Sequence, residues 1–363
     1  GWGNVMQELV FNAHLAYKSG RVFTMYNYTY DRNTAVDYAP FGRTGLRPPR
    51  VPLSAFLGAG PIAGGSFPDP HSDHPPAVVD EFFDQVCPHP AIVNVTAFKN
   101  ENGLAWGAAE TILHQFNALL RDTNNNCVDL FGDGPRMQSV WPEILASPIV
   151  TAWRWSSLVE SGVEHNSKHI HPTLRISPGD RSPLKGLLTL HLRRGDFKGH
   201  CNHLAKWSSH YNAFNVYPGL PDQRTPPMNP SEGVASTEAT AFFQEHCFPA
   251  YDQIVRKVRA VRSDALAHGV TLDRMYVLTN GDRTWLEGLK RELRAADPHM
   301  WKSIGTSRDL ELTEEQKFVS QAMDMLVATR AEVFIGNAWS SLTANVNMLR
   351  VAQHHPLNTI RFW

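Results

Sequence analysis

Cysteine is scarce in this chain, with Cys87, Cys127, Cys201 and Cys247 the four among 363 residues. None of their spacings is the close pair of a zinc site, so a zinc finger or ribbon is set aside. Neither sign of charge predominates: 34 Lys and Arg against 35 Asp and Glu give a formal −1. Without a basic footprint, general nucleic-acid binding is disfavoured. No apolar run approaches the length of a membrane span, and no signal peptide is visible. A full dinucleotide fingerprint and a phosphate-loop lysine are both missing. What remains is 42% hydrophobic content with ten tryptophans, the composition of a globular enzyme rather than a disordered scaffold. The length suits one large or two medium domains.

The chain is organised around Leu187–Asp196, Leu-Leu-Thr-Leu-His-Leu-Arg-Arg-Gly-Asp. Its apolar part, opened by Gly186, does not alternate, which is the pattern of a strand buried on both faces of a parallel sheet. It ends in His191, Arg193, Arg194 and Asp196, with Gly195 permitting a sharp turn. Open α/β sheets bind ligands at the carboxyl ends of their strands. Arginines there suit an anionic ligand, since a guanidinium offers a fixed fork of donors. The plainer alternative is an arginine paired with Asp196 for structural reasons.

Gly1-Trp2-Gly3-Asn4 reads as a glycine turn feeding a helix to about residue 19, and a helix N-terminus presents N–H groups to phosphate or a sugar. The abrupt opening leaves room for a targeting segment ahead of it, through which any membrane attachment would come. Residues 38–76 are rich in Pro and Gly and read as a surface excursion able to shape an acceptor groove. Within it His71, Asp73 and His74 sit among prolines, so a solvated loop is favoured over a metal cluster. His165, His169 and His171 receive no metal either. A helix is expected over 101–121, and residues 197–230 read as irregular. Another helix is expected over 239–268, interrupted near Pro249, followed by a strand at 275–279. Further helices are expected over 283–296 and, opened by the capping box Thr313-Glu-Glu-Gln316, to about Arg330. A strand at 332–335 and a polar turn, 336–341, then lead into a helix over 342–351. This alternation predicts a doubly wound parallel sheet with its ligand at the strand ends. Two α/β domains facing across a cleft, residues 1–185 and 186–363, are the expected architecture.

Ser340 and Ser341 precede a helix, where hydroxyls and N–H groups meet phosphate oxygens. Asp324 lies on the apolar side of the preceding helix, either a paired core acid or a reader of a base.

His191-Leu-Arg-Arg-Gly-Asp196 resembles the His-x-Arg-Arg-x-Asp motif of α1,6-fucosyltransferases, and its His-x-Arg core is similar to that of protein O-fucosyltransferases. Phe334-Ile-Gly-Asn-Ala-Trp-Ser-Ser-Leu-Thr343 resembles a segment of the latter family. Asp324, Tyr276-Val-Leu-Thr279 and Gly3-Asn4 fall where that family has similar residues. These segments cover about a fifth of the chain. The resemblance implies an α/β GT-B fold of two Rossmann-like domains, the first on the acceptor side and the second holding the donor. It also implies transfer of fucose from GDP-fucose to a protein or glycan hydroxyl, with inversion and without a metal. Arg193 would stabilise charge growing on the β-phosphate. Ser340, Ser341 and Thr343 would hold that phosphate, and Asp324 with the His191 region would read guanine. Gly3 and Asn4 would lie on the donor or acceptor side, while Arg194 and Asp196 would brace the loop. Some members carry a first-loop glutamate as base, but Trp2 stands beside Gly3-Asn4 here, so no base is assigned.

A non-catalytic nucleotide-sugar or glycan-binding relative is the alternative, ranked lower because Arg193, Ser340 and Ser341 are all present. Adhesion through Arg194-Gly195-Asp196 ranks lowest, since the tripeptide follows a buried strand. An even cysteine count with the sequons Asn27-Tyr-Thr29 and Asn94-Val-Thr96 favours the lumen of the secretory pathway, endoplasmic reticulum or Golgi. Cys87–Cys127 and Cys201–Cys247 is the expected pairing, although four cysteines allow three.

Overall fold

The computed structural model describes residues 1–29, 39–41, 45–47, 50–58, 61–62, 75–104, 108–131 and 141–363. His71, Asp73 and His74 lie outside the described residues. The chain divides into two compact units, Gly1–Val159 and Glu160–Trp363, which assigns residues 160–185 to the second.

In the first unit, helix α1 (Trp2–Ser19) buries Trp2, Met6, Leu9, Val10 and Ala13 and ends at Gly20 in the left-handed conformation, where glycine is unstrained. Helical geometry begins at Trp2, so Gly3 sits inside the first turn rather than in a preceding loop. Trp2 stacks on Phe56 with ring centroids 4.0 Å apart. Helix α2 (Ala109–Asp122) packs against α1 through Ile112, Leu113, Phe116 and Leu120. Strands β1 (Phe23–Met25) and β2 (Ala77–Val79) pair in parallel, as do β3 (Ala91–Asn94) and β4 (Val128–Phe131). A Cys87–Cys127 disulfide closes the latter pair at its start. Among the described residues of this unit, strands pair only two by two.

The second unit holds a five-stranded, wholly parallel sheet: β5 (Leu184–Leu192), β6 (Arg274–Thr279), β7 (Ser303–Thr306), β8 (Ala331–Gly336) and β9 (Ile360–Phe362), in the order β7-β6-β5-β8-β9. Strand β5 is central, and its side chains divide between two covered faces. Leu188, Leu190 and Leu192 join Met275, Val277, Val333 and Ile335 under helices α5 (Tyr251–Ala267) and α6 (Arg283–Ala296). His191, on the alternate register, meets helix α8 (Ser341–Ala352). Both faces are therefore dry, which is why the strand reads as an unbroken apolar run. Each buried leucine contributes about 2 kcal/mol.

Residues 197–206, expected to be irregular, form helix α3 (Phe197–Lys206). Its apolar stripe is only Phe197, Cys201 and Ala205, and it is held by the Cys201–Cys247 disulfide to helix α4 (Thr237–Cys247). Both disulfides follow the expected pairing. The helix expected over 239–268 is two helices, α4 and α5, broken at Pro249 where the ring supplies no N–H. Thr313 and Gln316 form the capping box, and helix α7 (Ser320–Arg330) follows as a separate element. Arg350 of α8 is fully buried and donates through Nη1 to the carbonyls of Ala328, Thr329 and Ala331. It satisfies the orphan acceptors at the end of α7 and fixes how α8 lies on β8.

Candidate functional site

The order β7-β6-β5-β8-β9 reverses direction between β5 and β8. Such a switch point opens a crevice at the carboxyl ends of the two strands, because their following connections leave on opposite faces. Residues 193–196 and 337–341 are those connections, so the topology brings together the two motifs noticed in the sequence.

Thr343 joins them. Its Oγ1 accepts from the backbone N–H of Asn337 at 3.0 Å and lies 2.9 Å from His191 Nδ1. With one proton to give and two lone pairs, the hydroxyl bonds Nδ1 whichever ring nitrogen carries the proton. Burial, then nearby Arg193, pushes the His191 pKa down to about 3, so the ring is neutral. Thr343 is itself fully buried, and its hydroxyl braces the turn instead of facing a ligand. The Thr343 methyl also fills the space beside Gly336, where an added Cβ would lie 2.3 Å from it.

The turn after β8 rests on buried amides. Asn337 donates to Cys247 O at 2.7 Å and accepts from Trp339 N at 3.1 Å. Asn215 donates to Ala338 O at 2.7 Å and accepts from Asn347 at 2.8 Å. Ser340 is the N-cap of α8 with no side-chain cap bond, and Ser341 opens the helix, half-buried. The first N–H groups of α8 thus keep no helical partner, and an uncapped helix start attracts anions.

Across the switch point, Arg193 pairs with Asp196 at 3.1 Å, lies over the Phe197 ring, and keeps a buried Nε without a partner. Asp196 is exposed and also accepts from Asn280 at 3.3 Å. Arg194 differs in kind. Its guanidinium lies 4.1 Å from the Trp285 ring centroid and 4.3 Å from that of Phe248, and it donates to Pro249 O at 2.6 Å. Asn280 grips the Arg194 backbone, accepting from its N–H at 2.7 Å and donating to its carbonyl at 3.1 Å. Gly195, between the two polar positions, has φ 62°, a conformation that strains any side chain.

Asp324, half-buried on α7, accepts from Tyr276 Oη at 2.8 Å and from Ser307 Oγ at 2.8 Å. Burial pushes its pKa up to about 7, against the pull of the Ser307 and Tyr276 hydroxyls and Arg308. Both sequence readings of Asp324 meet here: it is paired, yet a carboxylate at the sheet's carboxyl edge keeps lone pairs to offer. Ser307 was not singled out by sequence, since a lone serine after a four-residue strand carries no signal, and neither was Trp285 as a stacking surface; Asn280 stood out as a polar residue at a strand end, but its grip on Arg194 needed the fold. Gly3 and Asn4 lie in the first turn of α1 in the other unit, Asn4 exposed and Gly3 buried. Elsewhere in the second unit, Glu164, His165, Arg175, Glu311 and Gln316 line an open cavity of about 840 Å³ that contains none of the sequence-selected site residues. Among the described residues, no three His, Cys, Asp or Glu side chains are grouped to hold a metal ion.

A family model described as GDP-fucose protein O-fucosyltransferase matches residues 136–353. No curated protein matches the chain in sequence. Among solved structures, the chain is similar to POFUT1 in complex with GDP-fucose, with TM-score 0.56 and 14% identity over 99% of this chain and 94% of that one. POFUT1 in complex with GDP gives TM-score 0.55 and 15% identity over 98% and 93%. At such identity the likeness is one of fold, and it bears out the α/β GT-B class.

Proposed function

The chain belongs to the GDP-fucose protein O-fucosyltransferase family, and from that premise we propose that it moves fucose from GDP-fucose onto a protein serine or threonine hydroxyl, or onto a glycan, with inversion and without a metal. It is a fucosyltransferase. The observation that carries the donor reading is the joint placement at the switch point of Arg193, half-exposed and tied to the exposed Asp196, and the uncapped start of α8. As the sugar C1–O bond breaks, its electron pair goes to the β-phosphate, and fixed positive groups stabilise that growing charge without reorganising. Arg193 serves this role. Ser340 and Ser341 hold the phosphate with the α8 N–H groups, and Asp324 reads guanine as acceptor of its N–H donors. His191 and Thr343 hold the two loops in register, and Arg194 and Asp196 brace the first.

The acceptor hydroxyl attacks from the face opposite the leaving group and gives its proton to phosphate or water. Gly3 and Asn4 are assigned to orienting the sugar or the acceptor, and the first unit to the acceptor side. The setting proposed is the secretory lumen, where disulfides persist; no helix among the described residues is long and apolar enough to cross a membrane.

Calorimetric titration with GDP, GDP-fucose, GDP-mannose and UDP-glucose tests the reading. Expected are binding of the GDP compounds, no response to UDP-glucose, and release of GDP from GDP-fucose that EDTA does not slow. Arg193→Lys should lower that release by about 10²–10³-fold with the fold intact. Failure of every GDP compound to bind would overturn the donor assignment.

A further inference from the structure

We propose that Asn94 is a site of N-glycosylation, carrying an oligosaccharide beside the exposed Ile92 of the β3 strand. The sequence Asn94-Val-Thr96 is an acceptor triplet, and the fold presents it as one. Asn94 and Thr96 are both exposed, while Val95 between them is buried and anchors the segment. Asn94 stands at the N-cap of the helix Val95–Glu101, where its Oδ1 accepts from Ala97 N at 2.9 Å. Capping uses the amide oxygen alone, and the Nδ2 group, which would bear the sugar, is left outside the cap. In the transfer, Nδ2 forms a bond to the anomeric carbon of a lipid-diphosphate-linked oligosaccharide, the anomeric C–O bond breaks, the lipid diphosphate leaves, and one Nδ2 proton is lost. The carbonyl oxygen survives, so the helix keeps its cap.

A second observation points the same way. Side chains two apart on a strand share a face, and on β3 that face carries Ile92, 70% exposed, beside Asn94. An exposed aliphatic side chain two residues before the acceptor shows that this face is open to solvent on both sides of Asn94, so nothing on the strand obstructs the incoming oligosaccharide. The other triplet lacks these features. Asn27 is half-buried, its Nδ2 donates to Glu81 at 3.2 Å, and Thr29 is half-buried too.

The proposal rests on the lumenal reading, so the test imposes that passage. The chain is secreted from eukaryotic cells behind a cleavable signal sequence, and the product is checked for alkylatable thiols. Digestion with a glycan-releasing amidase in heavy-oxygen water, followed by peptide mass analysis, then reports Asn94 directly. Expected are loss of one oligosaccharide mass from the peptide containing Asn94 and its conversion to a labelled aspartate. Thr96→Ala should abolish the modification and Thr96→Ser should keep it, both with the Asn94 cap intact. An unmodified Asn94 in secreted protein free of alkylatable thiols overturns the proposal while leaving the lumenal reading standing; alkylatable thiols with an unmodified Asn94 overturn both.

Discussion

Replacing Thr343 by valine keeps the shape of a fully buried side chain and removes one oxygen. That oxygen receives the Asn337 N–H at 3.0 Å and lies 2.9 Å from His191 Nδ1. Valine leaves both groups buried without a partner, and each such group costs about 1–3 kcal/mol. The variant should lose about 2–6 kcal/mol, a large part of the stability of a domain. Serine keeps both bonds and loses only the methyl beside Gly336, which costs about 1 kcal/mol. Urea unfolding followed by tryptophan fluorescence should therefore place Thr343→Val well below Thr343→Ser, with unchanged slopes. The same ranking should hold for GDP affinity in calorimetry, because the bond registers the loop after β5 against α8. If the pocket were simply apolar, valine would equal or exceed serine. That order, or valine as stable as the parent, would refute the reasoning.

Asp324 sets a pH dependence. Its pKa is raised from the usual 3.8 to about 7 by burial, so between these values the folded chain holds a proton that the unfolded chain releases. Stability should fall as pH rises from about 4 to 7, by about 4 kcal/mol in all, and should be level above. Asp324→Asn should flatten that slope in urea titrations across the range; an unchanged slope would remove the group from the account. Deleting Cys201 and Cys247 as a pair opens a loop of sequence separation 46, and deleting Cys87 and Cys127 opens one of 40. By loop entropy each should cost about 4 kcal/mol. Only the first should also weaken GDP binding, since Cys247 O holds Asn337 at 2.7 Å; equal loss from both would argue against that link.

Where a segment's physics is local, the sequence by itself determined the outcome. The unbroken apolar run of β5 announced a strand dry on both faces. The amphipathic spacing of 283–296 and the Thr313 capping box marked their helices, and the strand-end polar residues marked the ligand edge. The two outer strands, β7 and β9, were not legible: Ser303–Thr306 has one large apolar residue, Ile304, and is a strand only because β6 pairs with it. Gly305 in that strand answers to a neighbour remote in sequence, since a Cβ there would lie 1.8 Å from His169 O. Helix α3 was missed because its stripe is completed by a disulfide, a contact between residues 46 apart. Within the site, residue type marked Arg193 and Arg194 alike, and the family resemblance alone gave them different roles. Tertiary packing separated them, burying one guanidinium between Trp285 and Phe248 and leaving the other half-exposed beside Asp196. Thr343 looked like a phosphate ligand in the motif, and only the order of strands put its hydroxyl between His191 and Asn337. Periodicity and turn chemistry act within a few residues and can be read along the chain, whereas partners for buried polar groups come from elements that meet only on folding.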